Sequence, residues 1–233
     1  MKHNLFKLIP PSFDDMQETK YEFPSWEQIA AECRKIAGKI RAAGFKPDVV
    51  LALSRGGLVP ARIVCDLLIV KDLVSIKVDH WGITAQKDGS ARLRYPVNID
   101  LEGKKILIVD DITDTGESLS LALDWVKKQN PADAKSAVVY HINHSKTVPD
   151  FFGEEIKSGD WAWIVWPWNL VEDISNILLK ELDGKTLSAD EIKKLFAEKH
   201  FSGISGDMAQ DALSALEGKL LVRQNQDGTW SKL

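Results

Sequence analysis

A chain of 233 residues is long enough for one sizeable domain, or for a domain with a small appendage. Its 44% hydrophobic residues support a packed core, and a net charge of −4 argues against a protein built mainly to coat nucleic acid. Two cysteines, Cys33 and Cys65, fall on apolar helical faces without metal-ligand spacing and are expected as buried, reduced thiols.

Residues 1–24 are mixed and punctuated by Pro10, Pro11 and Pro24, an irregular lead-in without the apolar core of a signal peptide. Ser25 with Gln28 forms a capping box. Trp26, Ile29, Ala30, Cys33, Ile36, Ala37 and Ile40 follow at helical spacing, and Gly44 ends that helix. Asp48–Leu53 reads as a short buried strand running into Ser54-Arg55-Gly56-Gly57, with a helix over Leu58–Ile69 and a strand over Leu73–Val78. The most hydrophobic stretch, Leu58 to Val70, is interrupted by Arg62 and Asp66 and is too short to span a bilayer, so a cytoplasmic location is expected. Residues 80–103 lack clear periodicity and suggest a functional lid.

Ile106 to Val109 is an aliphatic run ending in two adjacent carboxylates, Asp110 and Asp111. The polar loop Thr113-Asp114-Thr115-Gly116-Glu117-Ser118 follows, then an apolar-periodic helix. Amides and hydroxyls at a helix N-terminus suit a phosphate, and carboxylates are strong acceptors for ribose hydroxyls. An ordinary capped strand–loop–helix junction explains one Asp or one Thr, but not three acids within five residues around Thr-Gly. Strand 105–110, helix 117–128 and strand 135–141 complete a strand–helix alternation. It predicts an α/β fold with a parallel sheet, helices on both faces and both motifs at carboxyl ends of strands.

After Gly184 the pattern changes. Ser188 caps a helix to about Lys199, Asp207–Leu216 forms another, and Asn225-Gln226-Asp227-Gly228 marks a hairpin. The expected division is 1–183 and 184–233, the second part being a small winged-helix-like appendage. That part carries seven basic and seven acidic residues. Asp207, Asp211 and Glu217 on its second helix equip it poorly for a DNA groove, so a structural or subunit-contact role is favoured over nucleic acid.

The segment 106–118 resembles the phosphoribosyl-pyrophosphate (PRPP) signature of type I phosphoribosyltransferases. Leu51 to Pro60 resembles the pyrophosphate loop of that family in its xanthine–guanine form. The resemblance covers roughly residues 25–170 and implies the Rossmann-like parallel sheet of that family. It implies transfer of a phosphoribosyl group from PRPP to a purine base, giving a purine nucleotide and pyrophosphate. Ser54, Arg55, Gly56 and Gly57 would take the pyrophosphate. Asp110 and Asp111 would hold the ribose hydroxyls, directly or through Mg²⁺. Thr113, Asp114, Thr115, Gly116, Glu117 and Ser118 would cradle the 5′-phosphate, where Glu117 is useful only through its amide.

Asp114 would face N7 of the base as proton donor or acceptor, a choice that favours hypoxanthine, guanine or xanthine over adenine. Trp163-Ile164-Val165-Trp166-Pro167-Trp168 resembles the purine-stacking stretch of the xanthine–guanine enzymes. It would place Trp163 on the ring and the Ile164 backbone at its edge, with Ile112 as floor; at least two of the four nearby tryptophans should instead be core. For the lysine that meets the 6-oxo group, spacing leaves His144 or Lys146, and Lys146 is preferred because Val148-Pro149-Asp150-Phe151 follows it. Arg92 and Arg94 are the lid residues expected at the pyrophosphate. Family members commonly dimerise, so a homodimer is implied. An adenine or pyrimidine enzyme and a PRPP-sensing regulator remain as alternatives.

Overall fold

The computed structural model describes residues 20–80, 91–95, 98–198 and 204–233. Contacts divide the chain into two units. One comprises residues 26–161; the other comprises 20–25 and 162–233.

The larger unit is built on six strands. Its elements are α1 (Trp26–Ala42), β2 (Val49–Ser54), α2 (Leu58–Leu68), β3 (Asp72–His80), β4 (Ala91–Tyr95), β5 (Lys105–Thr113), α3 (Glu117–Lys127), β6 (Asp133–Ile142) and β7 (Phe151–Ile156); the short β1 (Tyr21–Glu22) precedes them in the other unit. The strand order is β4-β3-β2-β5-β6-β7. Every pair is parallel except β3–β4. The chain runs outward from β2 to β3 and later returns to place β5 on the other side of β2. The carboxyl ends of β2 and β5 therefore flank the switch point at which sheets of this kind bind ligands.

Alternation along the central strands explains why both faces are covered. Val49, Leu51, Leu53, Ile106 and Ile108 join Leu119, Ala122 and Val126 of α3 in one buried cluster. Val50, Ala52, Leu107 and Val109 are equally buried and point to the opposite face. Helices α1 and α2 pack with each other, and α2 packs on β2 and β5. In α1, of the residues at helical spacing, Ile29, Cys33, Ile36, Ala37 and Ile40 are fully buried, Ala30 is half-buried and Trp26, in the first turn, is exposed. Both cysteines are free and buried, and burial pushes the Cys33 thiol up to about 12.

Three boundaries differ from the sequence-based expectation. β5 does not stop at Asp110; pairing with β6 continues through Asp110↔Val138, Ile112↔Tyr140 and Thr113↔His141, so the acidic pair lies within a strand. Residues 91–95, expected to be irregular, form β4 against β3; a short edge strand needs little apolar alternation. β7 was hidden because its solvent-facing residues are glutamates, Glu154 and Glu155. The central part of the expected lid, 81–90, lies outside the described residues.

The second unit begins with β1 paired in parallel to β8 (Trp163–Ile164). It continues with α4 (Leu170–Glu181), β9 (Thr186–Leu187), α5 (Ala189–Glu198), α6 (Gly206–Gly218), β10 (Val222–Gln224) and β11 (Trp230–Lys232). β11 is the middle strand of a three-stranded antiparallel sheet, flanked by β10 and β9. Its core joins Ile174 and Leu178 of α4 to Phe196, Leu213, Leu216, Val222 and Trp230. α4 packs on α6, and residues 162–183 fall in this unit together with 184–233.

Trp230 is 3% exposed at the centre of this cluster. Replacing it with Ala should cost about 3–5 kcal/mol, read as a lower urea midpoint of the transition reported by this unit.

Candidate active site

β2 ends at Ser54 and the chain turns through Arg55-Gly56-Gly57 into α2. The Ser54–Arg55 peptide is cis, and the Gly57 amide donates to Leu53 O at 2.9 Å. A Cβ on Gly56 would collide with the carboxylate of Asp111, and one on Gly57 would collide with Val109 O. The loop thus lies directly against the end of β5; at Gly57, where the obstacles are backbone atoms, only glycine permits that approach. Arg55 is exposed.

Asp110 and Asp111 keep part of their surface open, yet the protein packed round them withdraws much of their solvent. Burial pushes both carboxyls up, Asp110 well above its ordinary value with the Asp111 charge as second cause. Asp111 rises to about 6 through burial, against hydrogen bonds that favour its charged form. Among those, the Ile112 amide donates to Asp111 Oδ1 at 2.9 Å, while the Asp111 amide donates to Asp110 Oδ1 at 3.0 Å. Two desolvated acids side by side are poised for a cation or for donor hydroxyls.

Gly116 is the N-cap of α3 at φ 82, in the left-handed region. A Cβ there would meet Ser145 Oγ at 2.5 Å and Thr147 Cβ at 2.7 Å. The Lys146 amide donates to Thr115 O at 3.2 Å, and Ser145 Oγ donates to Thr147 O at 3.0 Å. The turn after β6 therefore clamps the 115–116 loop. The Glu117 amide, at the start of α3, donates to Thr115 Oγ1 at 3.4 Å.

Thr113 is 2% exposed and His141 is 3% exposed; Thr113 Oγ1 and His141 Nδ1 are 2.8 Å apart. The Thr113 hydroxyl is thus engaged inside the unit, and a ligand would meet only its backbone. Burial pushes the His141 imidazole below its ordinary value. Asp114, next in the chain, is paired with His144, Nε2 to Oδ1 at 2.7 Å.

Of the residues singled out in the sequence, the larger unit brings together the 54–57 loop, the acidic pair and the 113–118 loop. Ile112 lies half-buried on β5 and Lys146 is exposed on the clamping turn. Arg92 and Arg94 are on β4, with Arg92 in register with Asp79. Trp163 and Ile164 belong to the second unit, where the Trp163 indole donates to Asp173 Oδ1 at 3.2 Å. Trp166 is buried and stacked on Trp168, ring centroids 4.9 Å apart. Sequence reasoning missed Ser145, Thr147 and His141 as supports of the loop. Their importance comes from β6 lying beside β5, and no local pattern announces it.

A parallel-stranded sheet covered on both faces, with a glycine loop, an acid pair and a helix N-terminus at its switch point, defines an α/β protein with a candidate ligand site at the carboxyl ends of β2 and β5. Residues 22–173 match the phosphoribosyl transferase domain, and the chain belongs to that family. A xanthine-guanine phosphoribosyltransferase of Idiomarina loihiensis is 30% identical over 149 residues, covering 64% of this chain and 86% of that protein. The structure of a purine phosphoribosyltransferase from Pyrococcus horikoshii matches with a TM-score of 0.55 at 30% identity, over 64% of this chain and 93% of that one. A Helicobacter pylori xanthine-guanine-hypoxanthine phosphoribosyltransferase shares the fold, with a TM-score of 0.56 at 21% identity over 67% of this chain and 97% of its own.

Two outcomes follow from this geometry. Gly57→Ala should destabilise the fold, since only backbone could move aside, whereas Gly56→Ala should leave the melting temperature nearly intact and weaken PRPP binding by displacing Asp111; calorimetry with each variant checks both. The raised acids hold protons in the folded state that the unfolded chain releases near pH 4. The Asp111 contribution is full below that pH and is lost as pH rises through about 6. Asp111→Asn should therefore raise the melting temperature of the ligand-free protein at pH 7.5 and flatten its decline between about pH 4 and 6.

Proposed function

We propose that the chain transfers the 5-phosphoribosyl group of PRPP to a 6-oxopurine, hypoxanthine, guanine or xanthine, in nucleotide salvage. The observation that carries this reading is the contact of the Gly56 loop with Asp111, which joins the pyrophosphate and ribose positions in one place. Family membership and the purine-specific names of the relatives support it.

In the reaction the C1′–oxygen bond to pyrophosphate breaks as a purine nitrogen bonds to C1′, through a transition state with oxocarbenium character. Main-chain amides of the 54–57 loop, with Arg55, hold the departing pyrophosphate in position. The 115–118 amides at the start of α3 take the 5′-phosphate. Asp110 and Asp111 accept from the ribose 2′- and 3′-hydroxyls. Asp110 and Asp111 would also suit a Mg²⁺ ion bound together with the substrate. Two desolvated carboxylates are a donor set suited to an ion that takes its other oxygens from substrate and water. When bound, the ion would offset charge on the pyrophosphate. Asp114 takes the proton from N7 of the base, so the ring can leave as a neutral nucleotide.

Lys146, Trp163, Ile164 and Ile112 are proposed purine contacts, and a homodimer of cytoplasmic location is proposed with them. No described helix is long and apolar enough to cross a membrane. The appendage is proposed for contact with protein; Asp207, Asp211 and Glu217 on α6 are all exposed, which disfavours a phosphate backbone as partner.

Pyrophosphate release measured with PRPP, Mg²⁺ and each of adenine, hypoxanthine, guanine, xanthine, uracil and orotate tests the assignment. Turnover is expected with at least one 6-oxopurine. Tight PRPP binding without turnover on any base would favour a PRPP-sensing regulator, and preference for adenine would make it the adenine enzyme. Asp114→Asn should lower kcat by about 10²-fold or more with PRPP affinity within about twofold. Unchanged turnover would reject the acid/base role.

A further inference from the structure

β5 and β6 run side by side to Thr113↔His141, and the two residues that end this part of the site are each met by a histidine. Inside, the His141 ring meets Thr113 Oγ1. Outside, three residues further on, His144 Nε2 lies 2.7 Å from Asp114 Oδ1, with the two side chains 43% and 46% exposed. A carboxylate oxygen only accepts, so the nitrogen facing it carries the hydrogen and the ring donates. Exposed pairs of this kind add little to folding. Their effect falls on the conformation of the side chain they hold, because an unpartnered Asp at a loop tip samples several rotamers.

Lys146, on the same turn, is tied to the site differently. Its amide donates to Thr115 O while its side chain is exposed. The charged and titratable groups near the pair are thus Lys146 on its own turn and His141 at the end of β6, with Glu155 of β7 acting on His141.

We propose that His144 is a positioning residue for Asp114, holding Oδ1 of the carboxylate so that Oδ2 is presented to the N7 proton of the incoming base. The proposal rests on the phosphoribosyl-transfer reading. As the purine nitrogen bonds to C1′ and pyrophosphate leaves with the electron pair of the broken bond, the N7 proton passes to Asp114 and is later released to water. His144 fixes the geometry of that transfer and itself neither gains nor loses a proton in it.

The test compares the full-length wild type with His144→Ala and His144→Gln, using PRPP, Mg²⁺ and the best of hypoxanthine, guanine and xanthine. His144→Ala is expected to lower kcat by about tenfold or more, with KM for PRPP within about twofold and an unchanged melting temperature. His144→Gln keeps a side-chain N–H donor and should recover most of the lost kcat. Wild-type kcat in His144→Ala, or a Gln variant no better than Ala, overturns the positioning role while leaving the transferase reading intact. A wild type inactive with every base overturns both.

Discussion

The structure turns on one close approach: the Gly56-Gly57 loop leaves the end of β2 and lies against the end of β5, where Asp111 occupies the space a side chain would need. That contact brings the two candidate ligand segments, more than fifty residues apart in the chain, into one place. It also removes solvent from a pair of acids, which raises both carboxyls and sets a desolvation cost on their charged forms in the ligand-free protein. Binding a substrate with donor hydroxyls, or a cation, relieves it. Affinity in such a site is thus partly stored in the free protein.

The second support is the turn after β6. Ser145 and Thr147 sit against Gly116, the Lys146 amide holds Thr115 O, and His144 reaches Asp114. Four consecutive residues with no motif of their own therefore shape the loop that carries the motif. The ladder between β5 and β6 sets their register, so the strand pairing itself aligns these supports with the 113–118 loop. His141 adds an inner anchor, and its burial disfavours the charged imidazole, so the support is firmest when the ring is neutral.

The second unit has its own physical logic. Its core is assembled from α4, α5, α6 and a three-stranded sheet, with Trp230 from the middle strand β11 at the centre. The outer side of α6 is left with exposed acids, so this unit is solvated and negatively charged where a DNA-reading helix would need cations. Its boundary was misjudged in the sequence for a clear reason: α4 has an ordinary amphipathic pattern, and only packing on α6 assigns it to one unit or the other.

Local patterns determined much of the protein. The apolar runs Val49–Leu53 and Ile106–Val109, the helical spacing in α1 and the two glycine- and acid-bearing loops were sufficient for an α/β fold with those loops at the carboxyl ends of its strands, because period and turn chemistry are properties of neighbouring residues. The tertiary structure alone decided what depends on residues far apart in the chain. It carried β5 past the acidic pair, turned the Thr113 hydroxyl inward to His141, set Ser145 and Thr147 on Gly116, and chose His144 over Lys146 as the side chain that reaches Asp114. Each of these is fixed by which strand lies beside which, and strand order is a consequence of packing the whole unit.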